Sequence, residues 1–290
     1  MKKVAVVGSA NMDLLLTVNR FPEAGETVLG QNYQYNFGGK GSNQAIQLNR
    51  LKTPVKLFVR LGKDDNGRKI EANFNAEKLA TEIAWSDLHS GFATIINFQN
   101  DNRIMVFSGS NMETNSEYEE QIQSQLDDFD LILLQCEIAP QLNMAIAKWA
   151  HEHDKKVILN PAPVDKLDLT ILPYIDYLLP NETEATFILE KVFNFDPKKL
   201  ITTRGKAGAS YQDQGQEKIV PPLNDLKVAD TTGAGDAFVA GFVYGLAHDY
   251  SIEKSIRCGN ITGGKNTEQL GATPGMINEK TLKEILDAQS

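Results

Sequence analysis

The chain has 290 residues, and its 29 basic against 38 acidic side chains leave a net charge of −9. With a pI near 5.1, that balance argues against nucleic acid or an anionic membrane as the main partner. Apolar residues, 41% of the total, supply a sizeable core, while two cysteines, Cys136 and Cys258, make no disulfide framework and point to a reducing, cytoplasmic setting.

Residues 4–7 read as a buried first strand, because Gly8, Asn11 and Asp13 interrupt the apolar run before a signal-peptide cleavage segment could form. Residues 14–18 and 28–37 are β-prone with no helix between them. Helical spacing over 42–51, a strand at 55–59 and a helix over 67–79 follow. Residues 92–98 alternate and turn at Asn100-Asp101-Asn102 into 103–107, a hairpin signal. Then come a helix over 117–126, a strand at 131–134, a helix over 142–151, strands at 157–159 and 175–179, and a helix over 182–189. The last third is helical over 234–247, 252–262 and 279–288, with a tight loop at 271–275.

Strands that alternate with helices predict one α/β domain over 1–290, a doubly wound, mostly parallel sheet flanked by helices. The segments about 11–37 and 92–108 do not fit that sheet and are expected to form a small antiparallel lid, one face of which needs cover from a ligand or another subunit. No stretch approaches the roughly 18 apolar residues of a membrane span.

The strongest chemical signal is Asp230-Thr231-Thr232-Gly233-Ala234-Gly235-Asp236, in which small residues precede a helix whose first-turn N–H groups can hold an anion. Asp236, inside that turn, either complements the helix dipole or serves as a general base beside an anion hole. The segment is no P-loop, and Phe238 stands where a dinucleotide fingerprint needs its third glycine. Gly38-Gly39-Lys40-Gly41-Ser42-Asn43 opens a second helix with donors for hydroxyl groups. Asn11, Asp13, Glu137, Asn160 and Asn181 follow strands, at the carboxyl edge where α/β proteins bind ligands. Asn181 and Glu184, one helical turn apart, either face a hydrated Mg²⁺ or cap their helix. The turn from Thr203 to Gly208 either brackets phosphates or joins two strands. His151 and His153 read as a solvated helix end, and Cys136 has no paired histidine that would make it a nucleophile.

These segments, with Gly8-Ser9-Ala10-Asn11-Met12-Asp13 and the Gln44-Ala45 that follows Asn43, and joined by Phe21-Pro22-Glu23-Ala24-Gly25-Glu26-Thr27 and Asn160-Pro161-Ala162-Pro163, run in one order along nearly the whole chain, which resembles the PfkB-type (ribokinase-like) carbohydrate kinase family. The resemblance implies sugar contacts from Asn11, Asp13, Gly39, Lys40, Asn43 and Glu137, with Asp236 as base and the amides of Gly233, Ala234 and Gly235 as anion hole. It assigns ATP to Asn181, Thr203, Gly205, Lys206, Gly208, Gly235 and Asn260, Mg²⁺ to Glu184 through water, and K⁺ to Asp230, Thr232, Gln269, Gly271 and Gly275. The implied reaction moves the γ-phosphoryl group of ATP to the 5-hydroxyl of ribose, and the implied assembly is a homodimer through the lid. Deoxyribose, fructose or a nucleoside as acceptor, and a non-catalytic sugar-binding regulator, are the rival readings. Three departures stand out: the chain is short between Glu184 and Thr203, Asn266-Thr267-Glu268-Gln269 replaces the small, apolar or basic residues common before the cation loop, and Gly275 stands where serine is frequent.

Overall fold

The computed structural model describes residues 1–98 and 101–288, so the turn expected around Asn100 lies outside the described residues. In chain order, β1 (Val4–Val7), β2 (Asn11–Val18) and β3 (Gly30–Gly38) lead into α1 (Lys40–Arg50). Next come β4 (Val55–Gly62), α2 (Asp65–Ala76), β5 (Ala80–Ser86), β6 (Gly91–Phe98) and β7 (Asp101–Phe107). The middle of the chain holds α3 (Ser116–Gln123), β8 (Leu131–Gln135), α4 (Pro140–Glu152), β9 (Lys156–Asn160), β10 (Tyr177–Leu178) and α5 (Glu182–Lys191). A hairpin-linked trio, β11 (Ile201–Thr203), β12 (Ala209–Asp213) and β13 (Gln216–Val220), precedes α6 (Ala234–Ala247), α7 (Ile252–Asn266) and α8 (Glu279–Ala288).

The main sheet has strand order β10-β9-β8-β1-β4-β5, and every pair in it is parallel. The chain winds outward from β1 to β4 and β5, then returns to the other side of β1 with β8. The switch point, and therefore the crevice, lies beyond the carboxyl ends of β1 and β8. Strand side chains alternate between two cores. Val4, Val6, Leu131 and Leu133 pack beneath α1, α6 and α7, while Ala5, Val7, Ile132 and Leu134 pack beneath α3 and α4. Helix α6 is buried from Asp236 to Ala247, so the segment bearing the glycine loop is anchored on all sides.

The lid is a sheet of order β3-β2-β6-β7. The expected antiparallel pairing describes β2 with β3 and β6 with β7, but the central pair, β2 with β6, is parallel. Between Glu184 and Thr203 the chain passes from α5 through one short turn into β11. Leu200 and Thr203 still bridge Leu178 and Asn181 in parallel, so the shortened segment keeps β11 beside β10.

Candidate active site

Asn11 and Asp13 lie within β2 itself, the first lid strand, rather than in a turn after β1. This strand therefore carries polar side chains from the switch point outward over the crevice. Asn11 Oδ1 accepts a hydrogen bond from Asn111 Nδ2 at 2.8 Å, leaving the Asn11 amide N–H groups for a ligand. Glu137, immediately after β8, accepts from Ser9 Oγ at 2.6 Å and from the backbone N–H of Lys40 at 2.9 Å. One carboxylate thus ties the ends of β1 and β8 to the start of α1, with Gly39 as that helix's cap.

Asn43 and Gln44 project from the first turns of α1 toward Asp236 in the first turn of α6. Asn43 Nδ2 donates to Asp236 Oδ2 at 2.9 Å, and Gln44 Nε2 donates to Oδ1 at 3.0 Å. Asn43 Oδ1 is buried and has no partner among the described residues, an acceptor suited to a hydroxyl group. The ammonium of Lys40 faces Asp236, Glu137 and Glu184. The Asp236 carboxylate first, with Glu137 and Glu184 behind it, holds Lys40 above its usual range against the opposing effect of burial. Burial, reinforced by nearby Glu137, pushes the Asp13 carboxyl up to about 7. One cation among several carboxyl groups favours a neutral polyol over a free anion. Cys136, pushed up to about 12 chiefly by burial, is an inert thiol.

The loop from Asp230 to Gly235 turns at Gly233, where φ is +74° and a Cβ would lie 2.4 Å from the carbonyl oxygen of Ala272. Only glycine allows the segment 271–275 to press so closely against the anion loop. Arg50 Nη1 on α1 grips that segment through the carbonyl of Thr273 at 2.6 Å. Asp230 Oδ1 accepts from the N–H and hydroxyl of Thr232 at 2.9 and 2.7 Å, and Oδ2 accepts from the N–H of Gly271 at 2.8 Å. Burial pulls the Asp230 carboxyl up, but these donors outweigh it and hold the group below its usual range. Asn266 Nδ2 donates to the Thr232 carbonyl at 2.9 Å, while its own Oδ1 is buried without a partner among the described residues.

A cleft of about 570 Å³ opens on the far side of the glycine loop, lined by Thr203, Gly205, Lys206, Gly208, Gly235 and Asn260, with Leu223, Leu226 and Phe238 as apolar walls. A side chain at Gly235 would meet nothing within 4 Å, so its backbone borders open space. The turn from Thr203 to Gly208 joins β11 to β12 and also lines this cleft, so both readings of it hold.

Four expected residues sit differently. Asn181 and Glu184 form a reciprocal capping box at the start of α5, each side chain accepting the other's N–H at 2.9 Å. Burial raises the Glu184 carboxyl above its usual range, opposed by the Asn181 N–H and Lys40. Asn260 Nδ2 spends its donors on the carbonyls of Val220 and Pro221, which leaves its carbonyl oxygen for the cleft. The side chain of Gln269 is exposed. Sequence reasoning gave no role to Ser9, Gln44, Asn111 or Gln135. Ser9 and Gln44 stand inside the segments that carried the resemblance, whereas Asn111 carries no local signal.

Similar proteins carry the same architecture. A ribokinase of Lactococcus lactis is 37% identical over 293 residues, covering 99% of this chain and 97% of that one. A ribokinase of Thermotoga maritima superposes with a TM-score of 0.89 at 28% identity, covering 99% of this chain and 100% of its own. A ribokinase of Arabidopsis thaliana, solved with ribose and ATP, gives a TM-score of 0.86 at 26% identity, covering 98% of each chain. The pfkB family carbohydrate kinase pattern matches residues 1–279. Parallel sheet, lid, glycine loop and these likenesses together show that the chain belongs to the pfkB family of carbohydrate kinases.

Proposed function

We propose that this kinase transfers the γ-phosphoryl group of ATP to the 5-hydroxyl of D-ribose, in the cytoplasm. The observation that carries the reading is the placement of Asp236. Its carboxylate is straddled by two amides, faces Lys40, and stands between hydroxyl-seeking groups on one side and the glycine-bordered cleft on the other. The curated and solved relatives that are ribokinases support ribose as acceptor.

Asn11, Asp13, Lys40, Asn43 and Glu137 bind and orient the sugar so that its terminal hydroxyl meets Asp236. The carboxylate accepts the hydroxyl proton as the oxygen attacks the γ-phosphorus in line. The N–H groups of Gly233, Ala234 and Gly235 stabilise charge on the transferred group. Thr203, Gly205, Lys206, Gly208 and Asn260 line the cleft assigned to the nucleotide, Asn181 is bridged to Thr203, and the lid excludes water.

Mg²⁺ would be held by the nucleotide phosphates with Glu184 behind a water, supplying charge neutralisation. The segment behind the anion loop suits a monovalent cation such as K⁺. Asp230 is held ionised there, Thr232 and the loop from Gly271 to Gly275 bring backbone carbonyls, and Asn266 Oδ1 is a buried oxygen lacking a partner among the described residues. Gln269, exposed, contributes backbone only. A cation there would stiffen the anion loop.

Register puts Leu15, Ile95 and Ile104 on the lid face that carries Asp13, with Val106 beside it, and Ile104 and Val106 are 55% and 58% exposed. A second copy covering this apolar row would make a homodimer whose lids close each other's sugar sites.

A coupled ADP-release assay over a sugar panel tests the assignment. Ribose should give the highest kcat/KM, and Asp236→Asn should lower kcat by about 10³-fold or more while ribose still binds. Better turnover of fructose or adenosine refutes ribose as the acceptor, and an active Asp236→Asn enzyme refutes the base.

A further inference from the structure

Gln44 lies on α1 one residue beyond Asn43 and is fully buried. Its amide has no free hydrogen-bonding capacity on the nitrogen side: Nε2 donates to Asp236 Oδ1 at 3.0 Å and to Asn160 Oδ1 at 3.2 Å. Its Oε1 accepts from Gln135 Nε2 at 2.8 Å, and Asn160 in turn donates Nδ2 to the carbonyl of Leu179 at 3.0 Å. The polarity of this chain is fixed from one end. A carboxylate only accepts, so Gln44 must turn its nitrogen toward Asp236 and its oxygen toward Gln135, which must then present its own nitrogen.

The arrangement costs stability. Gln135 is also fully buried, and its Oε1 has no partner among the described residues, whereas an aliphatic side chain would fill the same space without that penalty. The amides that flank Asp236 are also unequal. Asn43, whose own oxygen lacks a partner, belongs to the sugar side; Gln44 is sealed behind it in the core.

Resting on the reading of Asp236 as the base, we propose that Gln44 is a positioning residue. Braced by Gln135 and Asn160, it pins Asp236 Oδ1, so that Oδ2, the oxygen shared with Asn43, takes the hydroxyl proton. Gln44 touches no substrate and acts through the carboxylate alone. A rigid donor on one oxygen restricts rotation of the carboxyl group, while the other oxygen stays available to the acceptor.

The test compares Gln44→Met, Gln44→Glu and Gln135→Met with the parent enzyme, with Asp236→Asn as reference, each checked by thermal melting. Gln44→Met should lower kcat by about 10- to 100-fold and leave ribose KM within about twofold. The acid limb of its kcat–pH profile should move to higher pH. Lys40 on α1, Glu137 after β8, Glu184 on α5 and Asp13 beyond Glu137 also face this region. They are unchanged in the variant, so the difference between profiles reports the lost N–H. Gln44→Glu keeps the shape but replaces the donor with an acceptor. A packing role predicts near-parental kcat for it, and positioning predicts a deeper loss than Gln44→Met.

Should Gln44→Glu fail to fold, Gln135→Met, which only loosens the brace, should lower kcat at unchanged KM. Raised KM with intact kcat, or an unshifted acid limb in Gln44→Met, overturns the proposal. An active Asp236→Asn enzyme instead overturns the base beneath it, so the two failures are distinguishable.

Discussion

Replacing Asp13 by asparagine should stabilise the ligand-free protein, and more so as pH rises. Burial first and Glu137 second push this carboxyl from its usual 3.8 to about 7. The unfolded chain loses the proton near the lower value and the folded chain near the upper one. Between them the folded state binds the extra proton, so stability falls as pH rises through that window and the full burden remains above it. A shift of roughly 3 pK units corresponds to about 4 kcal/mol at alkaline pH. Asparagine, similar in shape and uncharged, carries no such burden, so the advantage of Asp13→Asn should grow by roughly 2–3 kcal/mol between pH 5 and pH 8.5. Urea denaturation of both proteins at the two pH values measures this directly. An advantage that does not change with pH, or a variant less stable than its parent at pH 8.5, refutes the reasoning. The same variant should lose ribose affinity, since a group kept at such a cost is kept for its ligand.

Gly233→Ala places a Cβ 2.4 Å from the Ala272 carbonyl oxygen at a φ of +74°, so kcat should drop sharply while ribose binding by calorimetry is retained. Gly275→Ser would set a Cβ 2.3 Å from the Asn266 carbonyl oxygen; it should cost about 1–3 kcal/mol in urea denaturation, and an unchanged midpoint would argue against so tight an approach. Ile104→Asp on the lid should convert the proposed dimer to monomers by light scattering and raise ribose KM. K⁺ should raise the melting temperature relative to tetramethylammonium at equal ionic strength, and Asp230→Asn should abolish that difference.

The buried strands were legible because each is a short apolar run, and the order of strands and helices then fixed which ends share a crevice. Weaker signals failed for physical reasons. β5, an edge strand, pairs with β4 alone and is mostly half-exposed, and Thr81 and Glu82 interrupt its apolar residues. Residues 175–179 shrank to Tyr177–Leu178 because the Asp176 carboxylate, at 2.9 Å, takes the Val157 N–H that a longer ladder would have used. β12 and β13 are rich in polar residues and turn at Gly215, which hides them from a search for apolar runs. At the site, Asn43, Lys40, Gly233 and Asp236 were readable because their neighbours in sequence are also their neighbours in space. Asn111, Gln135 and the brace through Gln44 come together only in the folded chain.

The protein divides its labour between a fixed half and an adjustable half. Asp236 rides on a helix with no side toward water, so substitutions there would be felt throughout the interior. Asn11 and Asp13 ride on a strand that leaves the main body, with Leu14 to Leu16 half-exposed and Thr17 exposed beyond them. Acceptor preference can therefore drift by altering a few lid positions while the phosphate-handling machinery stays untouched. One scaffold can in this way diversify its alcohols over evolutionary time without reinventing the reaction.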